Sequence, residues 1–143
     1  MKSIAIVHGS LETFGGAERI IFQLAEALLA KGYKIEIITY SIAKDIKKQF
    51  KAIHCKVITL AVPLININDT KRGSLMILGW NLQKKLKHYD VINVHNFPAT
   101  LWLGYASQFG NVTLPPIVWS CHEPPRCLYE GHKQGKNKSL GNI

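Results

Sequence analysis

The chain has 143 residues and a hydrophobic content of 47%, one domain's worth of sequence with enough apolar material for a core. Eighteen Lys and Arg against nine Asp and Glu leave a net charge of +9, a surface that attracts nucleic acid, anionic lipid or phosphorylated substrates. The apolar stretches are too short to span a bilayer, and no zinc-finger spacing, aromatic RNP signature or helix-turn-helix accompanies the charge, so nucleic acid is the weaker partner class.

In chain order, Ser3–His8 is a continuous apolar run ending in a polar loop, the pattern of a parallel strand buried on both faces. Ala17, Ile20, Ile21, Leu24, Ala25 and Leu28 recur at helical spacing, with Gly32 as the stop just past the helix end. Lys34–Tyr40 predicts a second strand, Ile42–Phe50 a short basic helix and Lys56–Leu60 a third strand. Ala61–Arg72 reads as loop, with Pro63, two asparagines and Asp69. Leu75, Leu78, Leu82 and Leu86 mark a helix whose last turn carries Lys84, Lys85, Lys87 and His88, charges suited to its negative end. Asp90–His95 is the fourth strand. Pro98 is placed to start a helix carrying Leu101, Trp102, Tyr105 and Phe109, and Pro116–Cys121 is a fifth strand, expected to be buried. Strands alternating with helices predict an α/β domain with a parallel sheet and right-handed crossovers. From about Gly131 the composition turns polar, so residues 131–143 are expected to be a disordered tail behind a domain spanning 1–130.

Three cysteines, Cys55, Cys121 and Cys127, lack a metal-binding pattern, so no metal ligand is assigned and no cofactor is expected. With Met1-Lys2-Ser3 leading straight into a strand, no secretory leader is visible, and the reading is a reduced, cytoplasmic protein. The loop His8–Gly16 holds Gly15 and Gly16 before a helix N-terminus, which offers N–H groups to an anion. A plain strand-to-helix turn explains the same glycines. The spacing is neither Gly-x-Gly-x-x-Gly nor a Walker loop, so dinucleotide and P-loop readings lose support. His8 carries no separate signal. His122, Glu123 and Arg126 follow the fifth strand beside Pro124-Pro125, where an open sheet of this kind presents its ligands. Glu123 and Arg126 are candidates for ligand contact or for an ion pair that fixes the loop; His95 and Asn96 close the fourth strand in the same manner. The stretch Ile42–Phe50 sets Lys44, Lys47, Lys48 and Lys51 against apolar residues, which fits an anionic membrane surface or an ordinary helix covering the sheet.

Gly15-Gly16-Ala17-Glu18 after the first strand, Asp90-Val-Ile-Asn-Val-His95-Asn96, and Trp119–Glu130 with its Cys-His-Glu-Pro-Pro-Arg core resemble the acceptor-side, N-terminal half of a retaining GT-B glycosyltransferase of family 4. The resemblance runs from about Ile4 to Glu130. It implies a Rossmann-like three-layer domain and transfer of a hexosyl unit from a nucleotide diphosphate sugar to a saccharide or lipid-linked hydroxyl. His122 would lie beside the donor sugar as the catalytic-positioning residue; Gly15, Gly16, Glu18, His95, Asn96, Glu123 and Arg126 would bind substrate. Glu18 and Glu26 satisfy the family's Glu-x7-Glu spacing literally. The resemblance places that motif in the donor-binding domain, so the match on the first helix is refused and Glu26 is read as a surface charge.

The donor-binding domain is expected to be absent from this sequence, leaving a chain inactive alone. Three further readings stay open: a non-catalytic acceptor-binding or membrane-docking subunit completed by a separate donor-domain chain, a small nucleotide-binding module, and a reading frame cut short. The expected location is cytoplasmic, peripheral on the inner face of the membrane if the basic stretch docks there.

Overall fold

The computed structural model describes residues 1–60 and 72–122, with the side chains of residues 72–78 outside that description. Five strands, β1 (Ser3–Leu11), β2 (Lys34–Ile42), β3 (Lys56–Thr59), β4 (Val91–His95) and β5 (Ile117–Ser120), alternate with four helices, α1 (Gly16–Ala30), α2 (Lys44–Ala52), α3 (Arg72–Leu86) and α4 (Ala99–Phe109). The strands form one sheet in the order β3-β2-β1-β4-β5, and every pairing is parallel. The chain builds outward from β1 to β3, then crosses back to lay β4 on the other side of β1. That reversal opens a crevice between the carboxyl ends of β1 and β4, the place where sheets of this topology take ligands.

Period-two alternation sorts the core into two layers. Ala5, Val7, Ile38, Ile92 and Val94 point to the face covered by α3 and α4, where they meet Leu82, Leu86, Trp102, Leu103 and Ala106. Ile6, Ile35 and Ile37 point to the opposite face and meet Ile21 and Ala25 of α1 with Ile46 and Phe50 of α2. The domain is thus a three-layer, Rossmann-like α/β sandwich.

Helix α1 ends as its sequence predicts. Gly32 takes a φ of +81°, the Gly32 N–H donates to the Leu29 carbonyl at 2.9 Å, and the Tyr33 N–H to the Leu28 carbonyl at 3.1 Å. This paired closure needs a residue in the left-handed region, which glycine enters without a Cβ penalty. Ile20, expected in the apolar stripe, is 43% exposed. It sits about 100° around the helix from the fully buried Ile21, at the rim of the stripe.

Helix α2 begins two residues later than the sequence suggests, because Ser41 and Ile42 continue the β2 ladder opposite Ser10 and Leu11. Its Ile46 and Phe50 are spent on the core, while Lys44, Lys47, Lys48 and Lys51 lie outside as an exposed basic face.

Strand β5 departs from expectation. Ile117, Val118 and Trp119 are 41%, 53% and 59% exposed rather than buried. Among the described residues β5 is the edge strand and pairs with β4 on one side only, so an apolar run that reads as core becomes a rim. On the face shared with α4 it borders an open apolar groove of about 350 Å³, which includes Val94, Leu103, Ile117 and Trp119.

The amino ends of the strands are tied by charge. Glu36 on β2 accepts from Tyr89 Oη and from Lys56 Nζ at 3.3 Å, with Lys34 Nζ at 3.5 Å. Burial pushes the Glu36 carboxyl up, but the hydrogen bonds from Tyr89 and Lys56 and the two lysine charges together hold it below the ordinary range. Nearby, Asp90 Oδ2 accepts from the Ser3 N–H at 2.7 Å and from Ser3 Oγ at 2.8 Å, fastening the start of β4 to the start of β1. Of the expected loop Ala61–Arg72, Arg72 instead opens α3 and residues 61–71 lie outside the described residues, as do the polar tail at 131–143 and Cys127.

Candidate functional site

The carboxyl ends of β1, β4 and β5 collect the polar side chains. The strand register explains why. His8 on β1, Asn93 and His95 on β4, and Ser120 on β5 all have the parity that faces α1, and the β4–β5 register sets His95 opposite Ser120. His122, two residues beyond Ser120, returns to the same face. His8, Asn93 and His95 are buried at 6%, 8% and 1% exposure, so each has to be satisfied by neighbours.

One group of contacts centres on Glu18. Its Oε1 lies 3.2 Å from His8 Nε2, and its Oε2 accepts from the Gly15 N–H at 3.0 Å. Glu18 therefore turns from the first turn of α1 back over the helix end and joins the loop to β1. A Cβ on Gly15 would come within 2.8 Å of Glu18 Oε2, whereas Gly16 has open space beside it. His8 Nδ1 is buried and has no hydrogen-bond partner among the described residues. Glu26, one of the two glutamates with the family spacing, is exposed on α1 and remote from this cluster, in line with its reading as a surface charge.

The second group joins β4 to β5. His95 Nδ1 and His122 Nε2 are 2.8 Å apart, the two rings having centroids 5.0 Å apart and planes inclined by 26°. His95 Nε2 lies 2.6 Å from Asn93 Oδ1. The Asn93 amide in turn donates to the Val118 carbonyl at 3.1 Å and to Ser120 Oγ at 2.9 Å. Asn96, with φ of +50°, accepts the His122 N–H on its Oδ1 at 3.0 Å and so pins the backbone just past β5. Burial pushes the His95 ring down to about 4, and the neighbouring rings of His122 and His8 add to the effect. At neutral pH His95 is an uncharged imidazole.

Of the residues singled out from sequence, Gly15, Gly16 and Glu18 meet at the α1 end of the crevice, while His95, Asn96 and His122 form the β4–β5 cluster. Glu123 and Arg126 lie outside the described residues. Sequence reading passed over His8 and Asn93. His8 ends the predicted first strand at the crevice, a positional signal that was available; Asn93 sits inside an apolar strand and becomes a site residue only through its cross-strand register. No group of three or more His, Cys, Asp or Glu among the described residues is arranged to hold a metal ion. None of the helices among them is long and apolar enough to cross a membrane.

A Rossmann-like domain with a histidine-rich polar cluster at its topological switch point is the class that fold and site define. The model of Glycosyltransferase Family 4 matches residues 14–142, and the chain belongs to that family. Among solved structures it is similar to a glycosyltransferase from Rickettsia africae, with a TM-score of 0.62 and 14% identity over 88% of this chain and 32% of that one. It is also similar to the glycotransferase of kitacinnamycin, with a TM-score of 0.52 and 10% identity over 97% of this chain and 35% of that one. The chain thus spans about a third of the length of these two proteins. The C-terminal domain of a hydrogenase from Pyrococcus furiosus shares the fold as well, with a TM-score of 0.55 and 14% identity over 83% of this chain and 91% of that one. A comparison with curated protein sequences returned no match.

Proposed function

We propose that these residues form the acceptor-side, N-terminal half of a retaining GT-B hexosyltransferase, in which His122 faces the sugar being transferred from a nucleotide diphosphate donor. The observation that carries this reading is the His95–His122 pair at the carboxyl ends of β4 and β5, beside the switch-point crevice of a family 4 domain. In that role the acceptor hydroxyl attacks the anomeric carbon as the bond to the nucleotide diphosphate breaks, and the departing phosphate oxygen takes the acceptor proton. His122 contributes by orientation and by a dipole placed where charge develops. Gly15 and Gly16, at the N-terminal end of α1, lie where the donor phosphates approach. His8 Nδ1, without a partner among the described residues, marks a buried position that bound ligand or water would complete.

The donor-side half lies outside these 143 residues, in the same polypeptide or in a separate one, and the domain alone should show no transfer. The acceptor is a saccharide or a lipid-linked hydroxyl. The lysines of α2 favour one held at an anionic membrane surface, with the domain peripheral to it.

The test is His122→Ala in a protein that carries both halves. Loss of one preorganised polar contact to a developing charge costs about 3–4 kcal/mol, so turnover should fall on the order of a hundredfold or more. Donor affinity should change far less, because the contact is made mainly in the transition state. A lowered melting temperature with an unchanged rate would make His122 a structural residue and overturn the assignment.

A further inference from the structure

The hydrogen-bond directions through β4 and β5 admit one proton arrangement. The Val118 carbonyl can only accept, so the Asn93 atom 3.1 Å from it is the amide nitrogen and the atom facing His95 is Oδ1. An amide oxygen can only accept as well, so His95 Nε2 carries a hydrogen. His95 is buried among groups that disfavour its second proton, chiefly by desolvation and then by the rings of His122 and His8, so its Nδ1 is a bare lone pair. Two bare nitrogens do not approach to 2.8 Å; His122 Nε2 must therefore hold the hydrogen between the rings. In the uncharged form of the His122 ring this leaves Nδ1, which has no partner among the described residues, as an acceptor.

We infer that Asn93 is a positioning residue for His122, acting through His95: the Asn93–His95–His122 chain selects the His122 tautomer that presents Nδ1 to a ligand as a hydrogen-bond acceptor. The group it receives is a hydrogen-bond donor, which on a sugar is a hydroxyl. An ionised phosphate oxygen has no hydrogen to give and would meet the lone pair repulsively. The functional meaning rests on the reading that His122 faces the transferred sugar, but the tautomer does not, and it can be read with no sugar present.

The experiment is long-range proton–nitrogen NMR of the 15N-labelled 143-residue chain at neutral pH. In the unsubstituted chain both His95 and His122 should carry hydrogen on Nε2 and none on Nδ1, with a coupling across the bond from His122 Nε2 to His95 Nδ1. Asn93→Asp then separates positioning from packing. A carboxylate beside His95 Nε2 favours the imidazolium, which places a hydrogen on His95 Nδ1 and forces His122 Nε2 to become the acceptor. His122 should switch to the Nδ1–H form while the backbone amide spectrum stays native. The new oxygen faces the Val118 carbonyl, so the variant will be less stable; if it does not fold, the unsubstituted chain alone decides. A His122 that carries its hydrogen on Nδ1 in the unsubstituted chain, or keeps it on Nε2 in folded Asn93→Asp, overturns the inference. The expected tautomers together with a His122→Ala enzyme of normal rate would leave the chain of hydrogen bonds standing and remove the proposed function instead.

Discussion

Acidification should weaken this domain through His95 well before its carboxylates are titrated. In the unfolded chain the ring takes up a proton near its ordinary value of 6.5; in the folded domain it does so only at about 4. The stabilising preference is thus fully present above pH 6.5, where both states are neutral, and is lost as pH falls towards 4 because the unfolded state binds the extra proton first. A gap of about two and a half pH units at about 1.4 kcal/mol each amounts to about 3.5 kcal/mol. Against a total of about 5–15 kcal/mol for a typical domain, that is a large share. The groups facing the ring are His122 from beyond β5 and His8 on β1, which is paired with Glu18 of α1. Urea unfolding followed by circular dichroism at half-unit intervals from pH 7.5 to 4.5 gives the slope. In His95→Gln the slope across this range should fall by close to one proton's worth, whatever the variant's stability at neutral pH. Stability that stays flat between pH 6.5 and 4.5, or an equal slope in His95→Gln, would refute the buried neutral ring.

Gly32→Ala should destabilise the domain by about 1–2 kcal/mol, read as a lower urea midpoint, since φ of +81° penalises a Cβ. Nothing lies within 4 Å of that added carbon, so a midpoint drop has to come from backbone strain. Replacing Lys44, Lys47 and Lys48 by glutamine should reduce binding to vesicles containing anionic lipid and leave the melting temperature nearly unchanged, because all three are exposed while Ile46 and Phe50 supply the packing. That binding should also weaken as salt shortens the screening length below about 8 Å; unchanged binding by the triple variant would make the basic face a solvated surface and no more.

The alternation of elements was legible because each strand is an apolar run and each helix a 3.6-residue stripe, signals carried within ten residues of sequence. Strand order was not, since nothing local states that β4 returns to the far side of β1. The exposed fifth strand and the overlooked Asn93 both follow from that, whereas His8 was passed over despite its place at a predicted strand end. Val118 and Trp119 read as core because their run is apolar, yet their place at the rim depends on which strand is last. Asn93 looked like a polar interruption of a buried strand until register set it opposite Val118 and within reach of Ser120. His95, Asn96 and His122 were found because strand ends are visible in sequence, although the contact between the two rings, 27 positions apart, was not.

The salt-bridged Glu36 cluster has a consequence for how this domain can change. Glu36, Lys34, Lys56, Tyr89, Asp90 and Ser3 fasten the amino ends of the strands, whereas His8, Glu18, Asn93, His95 and His122 occupy the carboxyl ends. The anchoring groups and the candidate site sit at opposite poles of one sheet, and the two groups have no residue in common. Substitutions at the candidate-site pole can therefore accumulate without loosening the fastened one, and strengthening the fastened pole offers a reserve against which riskier changes at the other can be drawn.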